Sequence, residues 1–320
     1  MLRACIAVAA VAHALAAMAQ EFPLKPMLMV AAMPAGGGAD FTARWLANRM
    51  QSILKQNVVV ENIAGAGGNI AAATVAKASA DGYIIFFASD PIFTVNPFLY
   101  QKIGFDAARD FAPVALIQNT ARTLLVHPSV PASTVAELIA LAKSHPGTLN
   151  FGSGGAGTSL HLAGELLKST AGIDIVHVPY RGAAPALVAL MGGSEIQMLF
   201  DSAGSSIGHI RSGRIKGLAI ASRTRAPALP ELPTFNESGM PGFEMGVAHG
   251  VLVPAQTSRV VIATLNRAIN VALDDAAYRS QMAALAVDIV GGTTEQFRLY
   301  LARERKRWGE FIKKKRIKLN

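Results

Sequence analysis

The sequence predicts an α/β protein of two lobes joined by two crossings of the chain. Three observations carry this prediction. A short apolar run, a Gly/Ser-rich turn and a stretch of helical periodicity recur in that order along much of the chain. The recurrences form two sets, separated by a break near 118–121. After a second break near 245–249 the periodicity is helical only, so that part is expected to return and cover the sheet of the first set.

In the first set, Met27 to Met33 reads as a strand, Pro34 to Asp40 as a turn and Phe41 to Leu54 as a helix. Asn57 to Asn62 is a second strand, leading through Gly65-Ala66-Gly67-Gly68 into an Ala-rich helix that ends near Ser79. Tyr83 to Ala88 is a third strand, ending at Ser89-Asp90-Pro91. In the second set, Leu149 to Ser153 runs into a glycine-rich turn and a helix from Leu160. Ile175 to Val178 leads to Tyr180-Arg181-Gly182 and a helix to Met191, and Ile196 to Phe200 leads to Asp201-Ser202 and a helix to about Arg211. Beyond the second break, Val261, Leu265, Ile269 and Leu273 mark one helix, and Phe297, Leu301, Trp308, Phe311 and Ile312 mark another. Lobe 1 is thus expected to hold residues 20–120 plus 248–320, and lobe 2 residues 121–247, with the ligand cleft between them.

The first 19 residues read as a signal peptide: Met1-Leu2-Arg3 is a positive start, Ala4 to Ala17 a small-apolar run and Ala17-Met18-Ala19 a cleavage site. Cys5, the one cysteine, lies in that segment, so the mature chain is expected to have no disulfide and no thiol nucleophile. Export of the mature chain follows. The net charge of +9 suggests nucleic acid, but nine Lys/Arg against two Glu lie between Arg303 and Asn320, leaving only +2 for the rest. No nucleic-acid partner is expected. The Lys313-Lys314-Lys315-Arg316-Lys318 cluster reads as a solvated helix end, with contact to anionic lipid or a partner the lesser alternative.

Glycine-rich turns between a strand's carboxyl end and a helix present free backbone N–H groups at the positive end of a helix dipole, where anions bind. Several such turns facing one crevice point to an anionic ligand. Sharper motifs fail. Gly152-Ser153-Gly154-Gly155-Ala156-Gly157 matches the dinucleotide fingerprint, but Asp174 opens the next strand instead of closing it. Gly65 to Gly68 lacks the Lys-Ser/Thr of a P-loop. Neither a nucleophile elbow of the G-x-S-x-G kind nor H-E-x-x-H is expected, and no catalytic set emerges. His161 and Glu165 have metal-ligand spacing, but lone histidines are more often structural. No metal or cofactor is assigned.

Five blocks then resemble one family. They are Phe22-Pro23-Leu24-Lys25-Pro26 with Pro34 to Asp40; Val59-Val60-Glu61-Asn62 with Gly65 to Ile70 and Ala80-Asp81-Gly82-Tyr83; Gly157 to Glu165; His177 to Gly182; and Leu232-Pro233-Thr234 with Gly239 to Glu244. In this order, over nearly the whole mature chain, they resemble the Bug (TctC-like) family, periplasmic receptors of tripartite tricarboxylate transporters. The resemblance implies a type II periplasmic-binding-protein-like fold and a small carboxylate ligand: a dicarboxylate, an aromatic acid or an amino acid. It implies membrane transporter subunits as partners, and a monomer that performs no chemistry. Carried over by position, Ala35, Gly36, Gly37 and Gly38, with Gly65, Ala66, Gly67 and Gly68, would bind ligand from the first lobe. Gly154, Gly155, Thr158 and Ser159 would answer from the second, with Arg181 and Asp201 beside them. Asp40 is expected to cap its helix as an acceptor of N–H groups.

Departures from the family pattern are the Met-rich first strand, Ala248-His249, Ser89-Asp90-Pro91 and Asp201-Ser202-Ala203-Gly204. Asp90, at a strand end expected to face the cleft, would pair with an ammonium and favour an amino acid; the alternative is that it caps a turn. Two other readings stand beside the receptor. One is an exported hydrolase or transferase using His161 or His249 near Ser159 or Ser202, the other a sensing receptor without its own transporter. An adhesin driven by the basic tail is a weaker third.

Overall fold

The computed structural model describes residues 22–318; the expected signal segment, with Cys5, lies outside the described residues. Ten strands form one curled sheet, in the order β2-β1-β3-β9-β4-β7-β5-β6, with β10 and β8 also pairing with β4. The first lobe contributes three parallel strands: β1 (Met27–Ala31), β2 (Val58–Asn62) and β3 (Ile84–Ser89). The second contributes β5 (Asn150–Ser153), β6 (Val176–Pro179) and β7 (Met198–Ser202), also parallel. Short runs with both faces covered by helices need no polar alternation, which is why Met27 and Met29 to Ala31 are all buried.

Between the two parallel sets lie two long antiparallel strands, β4 (Phe111–Val126) and β9 (Gly246–Pro254). The expected break at 118–121 therefore sits inside one continuous strand of 16 residues, whose first part pairs with β9 and whose last part, Arg122 to Val126, pairs with β7. The short strand β8 (Lys216–Ile220) flanks that last part. The expectation of helices only after the second break is corrected: β9 and the three-residue β10 (Val287–Ile289) follow it. Gly246, His249 and Gly250 disguise β9 as a turn, although Val247, Val251 and Val253 are β-branched. A strand of three residues carries no readable period. The crossings are thus hydrogen-bonded strands, with register shifts in β4–β9 between Pro113 and Ala115 and between Leu116 and Gln118.

Eleven helices are described. Helix α1 (Gly38–Leu54) begins earlier than expected, with Gly37 as N-cap, and buries Ala43, Leu46, Ala47 and Met50 at helical spacing against β1. Helix α2 (Asn69–Val75) follows the Gly65–Gly68 turn, and α3 (Pro91–Thr94) and α4 (Asn96–Leu99) follow β3. Lobe 2 has α5 (Val135–Ser144), α6 (Ser159–Ala171), α7 (Ala183–Gly192) and α8 (Ala203–Arg211). The C-terminal helices are α9 (Arg259–Leu273), α10 (Ala276–Ala284) and α11 (Thr294–Lys315). Helix α11 serves both lobes. Phe297 and Leu301 enter the cluster of Phe86 and Phe93, whereas Trp308 and Ile312 join the cluster of Phe151, Leu162 and Phe200. Exposed Lys313, Lys314 and Lys315 end it.

Candidate ligand-binding cleft

Side chains along β4 and β9 alternate between two faces. On one face, a cavity of about 700 Å³ takes Gln118, Thr120 and Arg122 from β4 and Val247 and His249 from β9. Lobe 1 adds Gly38, Ala39, Phe41, Thr42 and Ser89; lobe 2 adds Ser202, Gly204 and Ser205. The stretch from α10 to β10 closes a side with Gln281, Met282, Leu285 and Val287. On the other face lies a polar groove of about 870 Å³ with Asp90, Asn119, Gly246, Asp288, Tyr300 and Glu304 in its lining.

This alternation separates the neighbours Ser89 and Asp90. Ser89 faces the cavity and Asp90 faces the groove beneath α11. The Asp90 carboxylate accepts the Ala248 N–H at 2.9 Å and the Tyr300 hydroxyl at 3.0 Å. Burial pushes its pKa up to about 7, against those two hydrogen bonds. Asp90, expected to pair with a ligand ammonium, has its side chain buried on the face opposite the cavity, with two partners.

Arg122 is the only charged residue of β4 and, among the described residues, the only ionised side chain lining the cavity. Its Nη2 donates to Ser159 Oγ at 2.8 Å, and its buried Nε has no hydrogen-bond partner. Burial pushes its pKa down, opposed by Asp201 and Asp90 acting from a distance. His249 stacks on Phe87 with ring centroids 5.7 Å apart, and its buried Nδ1 has no partner. Burial, then Arg122, pushes its pKa down to about 4, so it is neutral at pH 7. Thr42 Oγ1 donates to Gln118 Oε1 at 3.0 Å and accepts from Tyr278, holding the cavity's lobe 1 wall to its floor.

The structure gathers only part of the expected set. Gly38 and Ser89 line the cavity, whereas Ala35, Gly36 and Gly37 are exposed outside its lining. Asp40 accepts the Gly36 N–H, Arg44 Nε and Asn62 Nδ2 at 2.8–3.0 Å, so it braces the turn ahead of the helix. Burial would raise its pKa; these bonds outweigh it and hold the carboxyl below the usual range. Gly65 to Gly68 form a tight turn outside the cavity, where Gly67 O accepts from Asn96 Nδ2 at 3.1 Å. Ala66 lines a separate surface depression.

In the second lobe, Ser153 Oγ accepts the Gly155 N–H at 3.0 Å and Thr158 Oγ1 donates to Gly155 O at 2.8 Å, so the 154–158 turn is bonded within itself. Ser159 meets the cavity only through Arg122. Arg181 is exposed outside the cavity. Asp201 is buried beneath the α8 N-terminus, accepting the Ser202 N–H and the Ser205 hydroxyl at 2.8 Å each.

His161 Nδ1 accepts the Gly157 N–H at 3.0 Å, and the ring stacks 4.0 Å from that of His177, whose Nε2 lies 2.6 Å from Ser153 Oγ. Among the described residues no three His, Cys, Asp or Glu side chains converge as metal ligands. The letters G-x-S-x-G do occur, contrary to expectation, as Gly204-Ser205-Ser206-Ile207-Gly208. They lie inside α8 and not on a strand-to-helix elbow, and buried Ser206 donates to Ser202 O at 2.9 Å.

Arg122, Gln118 and residues 281–287 reach the cavity without a motif that marks them as site residues. Arg122 did leave a signal, a lone charge in a strand otherwise apolar or neutral. Nothing local links residues 281–287 to a cleft.

Residues 42–317 match the model of the tripartite tricarboxylate transporter family receptor. The chain belongs to this receptor family. It is 34% identical to protein BugT of Bordetella pertussis over 302 residues, which cover 94% of this chain and 92% of that one. Among solved structures it resembles R. palustris Rpa4515 with adipate, at 32% identity and a TM-score of 0.79, covering 92% of this chain and 98% of that one. It also resembles MatC (Rpa3494) from Rhodopseudomonas palustris with bound malate, at 29% identity and a TM-score of 0.76, covering 91% of this chain and 100% of that one. The receptor family's fold is the one observed, type II periplasmic-binding-protein-like, with two α/β lobes and two crossings. Among the described residues no helix is long and apolar enough to cross a membrane.

Proposed function

We propose that this family member is an exported periplasmic receptor that captures a small carboxylate between its lobes and delivers it to the membrane subunits of a tripartite tricarboxylate transporter. The observation that carries the reading is the cavity itself. Lobe 1 brings the N-terminus of α1 to it at Gly38, and lobe 2 brings the N-terminus of α8 through Gly204 and Ser205. Both ends offer N–H donors and a positive dipole to one anion. Rpa4515 with adipate and MatC with bound malate support a carboxylic acid as ligand.

Binding proceeds without chemistry. An open cleft admits the acid, and lobe closure about β4 and β9 removes water, which strengthens each bond to the carboxylate. Closure also carries the 154–158 turn toward the first lobe. The receptor acts as a monomer, made with a signal peptide that is removed after about residue 19.

A thermal-shift screen of carboxylic and amino acids on the mature protein tests this. Stabilisation by an acid that is recovered chemically unchanged supports the receptor; turnover of the captured acid overturns it in favour of a hydrolase or transferase. The mass of the exported protein, measured under native conditions, checks both cleavage and oligomeric state.

A further inference from the structure

The cavity carries an unbalanced charge. Among the described residues Arg122 is its one ionised side chain, and no Asp, Glu or Lys lines it. The nearby carboxylates are committed elsewhere: Asp201 to Ser202 and Ser205, Asp90 to Ala248 and Tyr300 on the far face. None of the ion pairs among the described residues includes Arg122. A half-buried guanidinium that is in no ion pair is costly, because protein dipoles replace its lost hydration poorly. Ser159 fixes Nη2, so the group cannot swing out freely, and the buried Nε has no hydrogen-bond partner. In the β4–β7 register Arg122 stands opposite Ser202, the N-cap of α8, so cation and helix end act on one spot.

The rest of the wall is neutral. Phe41, Val247, Met282, Leu285 and Val287 give it apolar surface, and neutral His249 adds a ring without charge. An ammonium brought into this space would meet a cation and no carboxylate.

We propose that Arg122 is the specificity-determining residue of the cleft: it pairs with a ligand carboxylate while the ligand's body lies on the apolar wall, so the receptor selects carboxylic acids that lack an amino group. This rests on the receptor reading above and narrows it, excluding the amino acids. Ser159 is a positioning residue, acting through Arg122.

Calorimetry with matched pairs tests it, using 3-phenylpropanoate against phenylalanine and glutarate against glutamate. The amino-free member of at least one pair should bind the mature protein at least about 10-fold more tightly than its amino counterpart. Arg122→Gln should weaken that acid by about 10- to 100-fold, and Ser159→Ala by a smaller factor. Circular dichroism and thermal melting check that Arg122→Gln folds; if it does not, the matched pairs on the unaltered protein decide. An amino acid binding as tightly as its partner, or a folded Arg122→Gln that holds the acid unchanged, overturns the inference and leaves the receptor standing. Binding of none of the four removes the acid-selective site, and failure of the wider screen as well removes the receptor reading.

Discussion

The Tyr300 hydroxyl donates to the Asp90 carboxylate at 3.0 Å, tying α11 to the end of β3 across 210 positions of chain. The other Asp90 oxygen takes the Ala248 N–H of β9. One side chain thus joins a helix and two strands behind the floor of the cleft. Asp90→Ala leaves two buried donors without an acceptor and should cost about 2–4 kcal/mol of stability, read by urea unfolding. Because Asp90 faces away from the cavity, ligand affinity should change by less than about threefold. A larger change in affinity with little change in stability would return Asp90 to the cleft.

The same carboxyl makes stability depend on pH. Burial lifts its folded pKa to about 7 from the ordinary 3.8, so the folded protein keeps this proton where the unfolded chain has released it. The contribution is present in full below the ordinary value and is lost as pH rises through about 7. Asp90→Asn, uncharged at every pH, should therefore compare better with the unaltered protein at pH 8 than at pH 5. Equal differences at the two values would show that Asp90 does not titrate in this range.

The His161–His177 stack has the opposite sign. Burial, then His177, lowers the pKa of His161 to about 4, and burial lowers that of His177 as well. Their contribution is present above the ordinary value of 6.5 and is lost as pH falls through it toward about 4. A protonated Nδ1 cannot accept the Gly157 N–H, so the 154–158 turn loosens with it. Between pH 7 and pH 4.5 the protein should lose about 1–3 kcal/mol to these groups, and His161→Asn should reduce that loss. His249, shifted the same way, leaves part of the slope in place. An unchanged slope in His161→Asn would remove His161 from the account.

Gly164 sits where a Cβ would come 2.1 Å from the Phe151 ring. Phe151 is fully buried on the strand beneath, so the clash has no outlet. Gly164→Ala should destabilise by about 2–3 kcal/mol, and adding Phe151→Leu should recover part of it, measured by chemical denaturation. Additive losses would place the strain elsewhere.

Much of the fold was legible because its signals are local. The apolar runs of β1, β3 and β7, the glycine turns after β1, β2 and β5 and the periodicity of α1 and α9 each lie within about 20 residues, and family motifs run through them. The candidate site was legible only where a turn carries its own chemistry, as at Gly38 and Ser89. Period-two alternation decides that Ser89 faces the cavity and Asp90 the groove, yet which face is the cleft depends on β9 and α11, more than 150 residues later.

By itself the sequence determined the α/β class, the two sets of strand, turn and helix, and the anion-friendly helix ends, because backbone propensity and burial period act between near neighbours. Only the tertiary structure decided that both crossings are paired strands and that Arg122, anchored by Ser159 of the second lobe, stands beside the cavity without a counter-ion. Charge balance in a cavity is a sum over residues distant in sequence, and only folding brings them close enough to count.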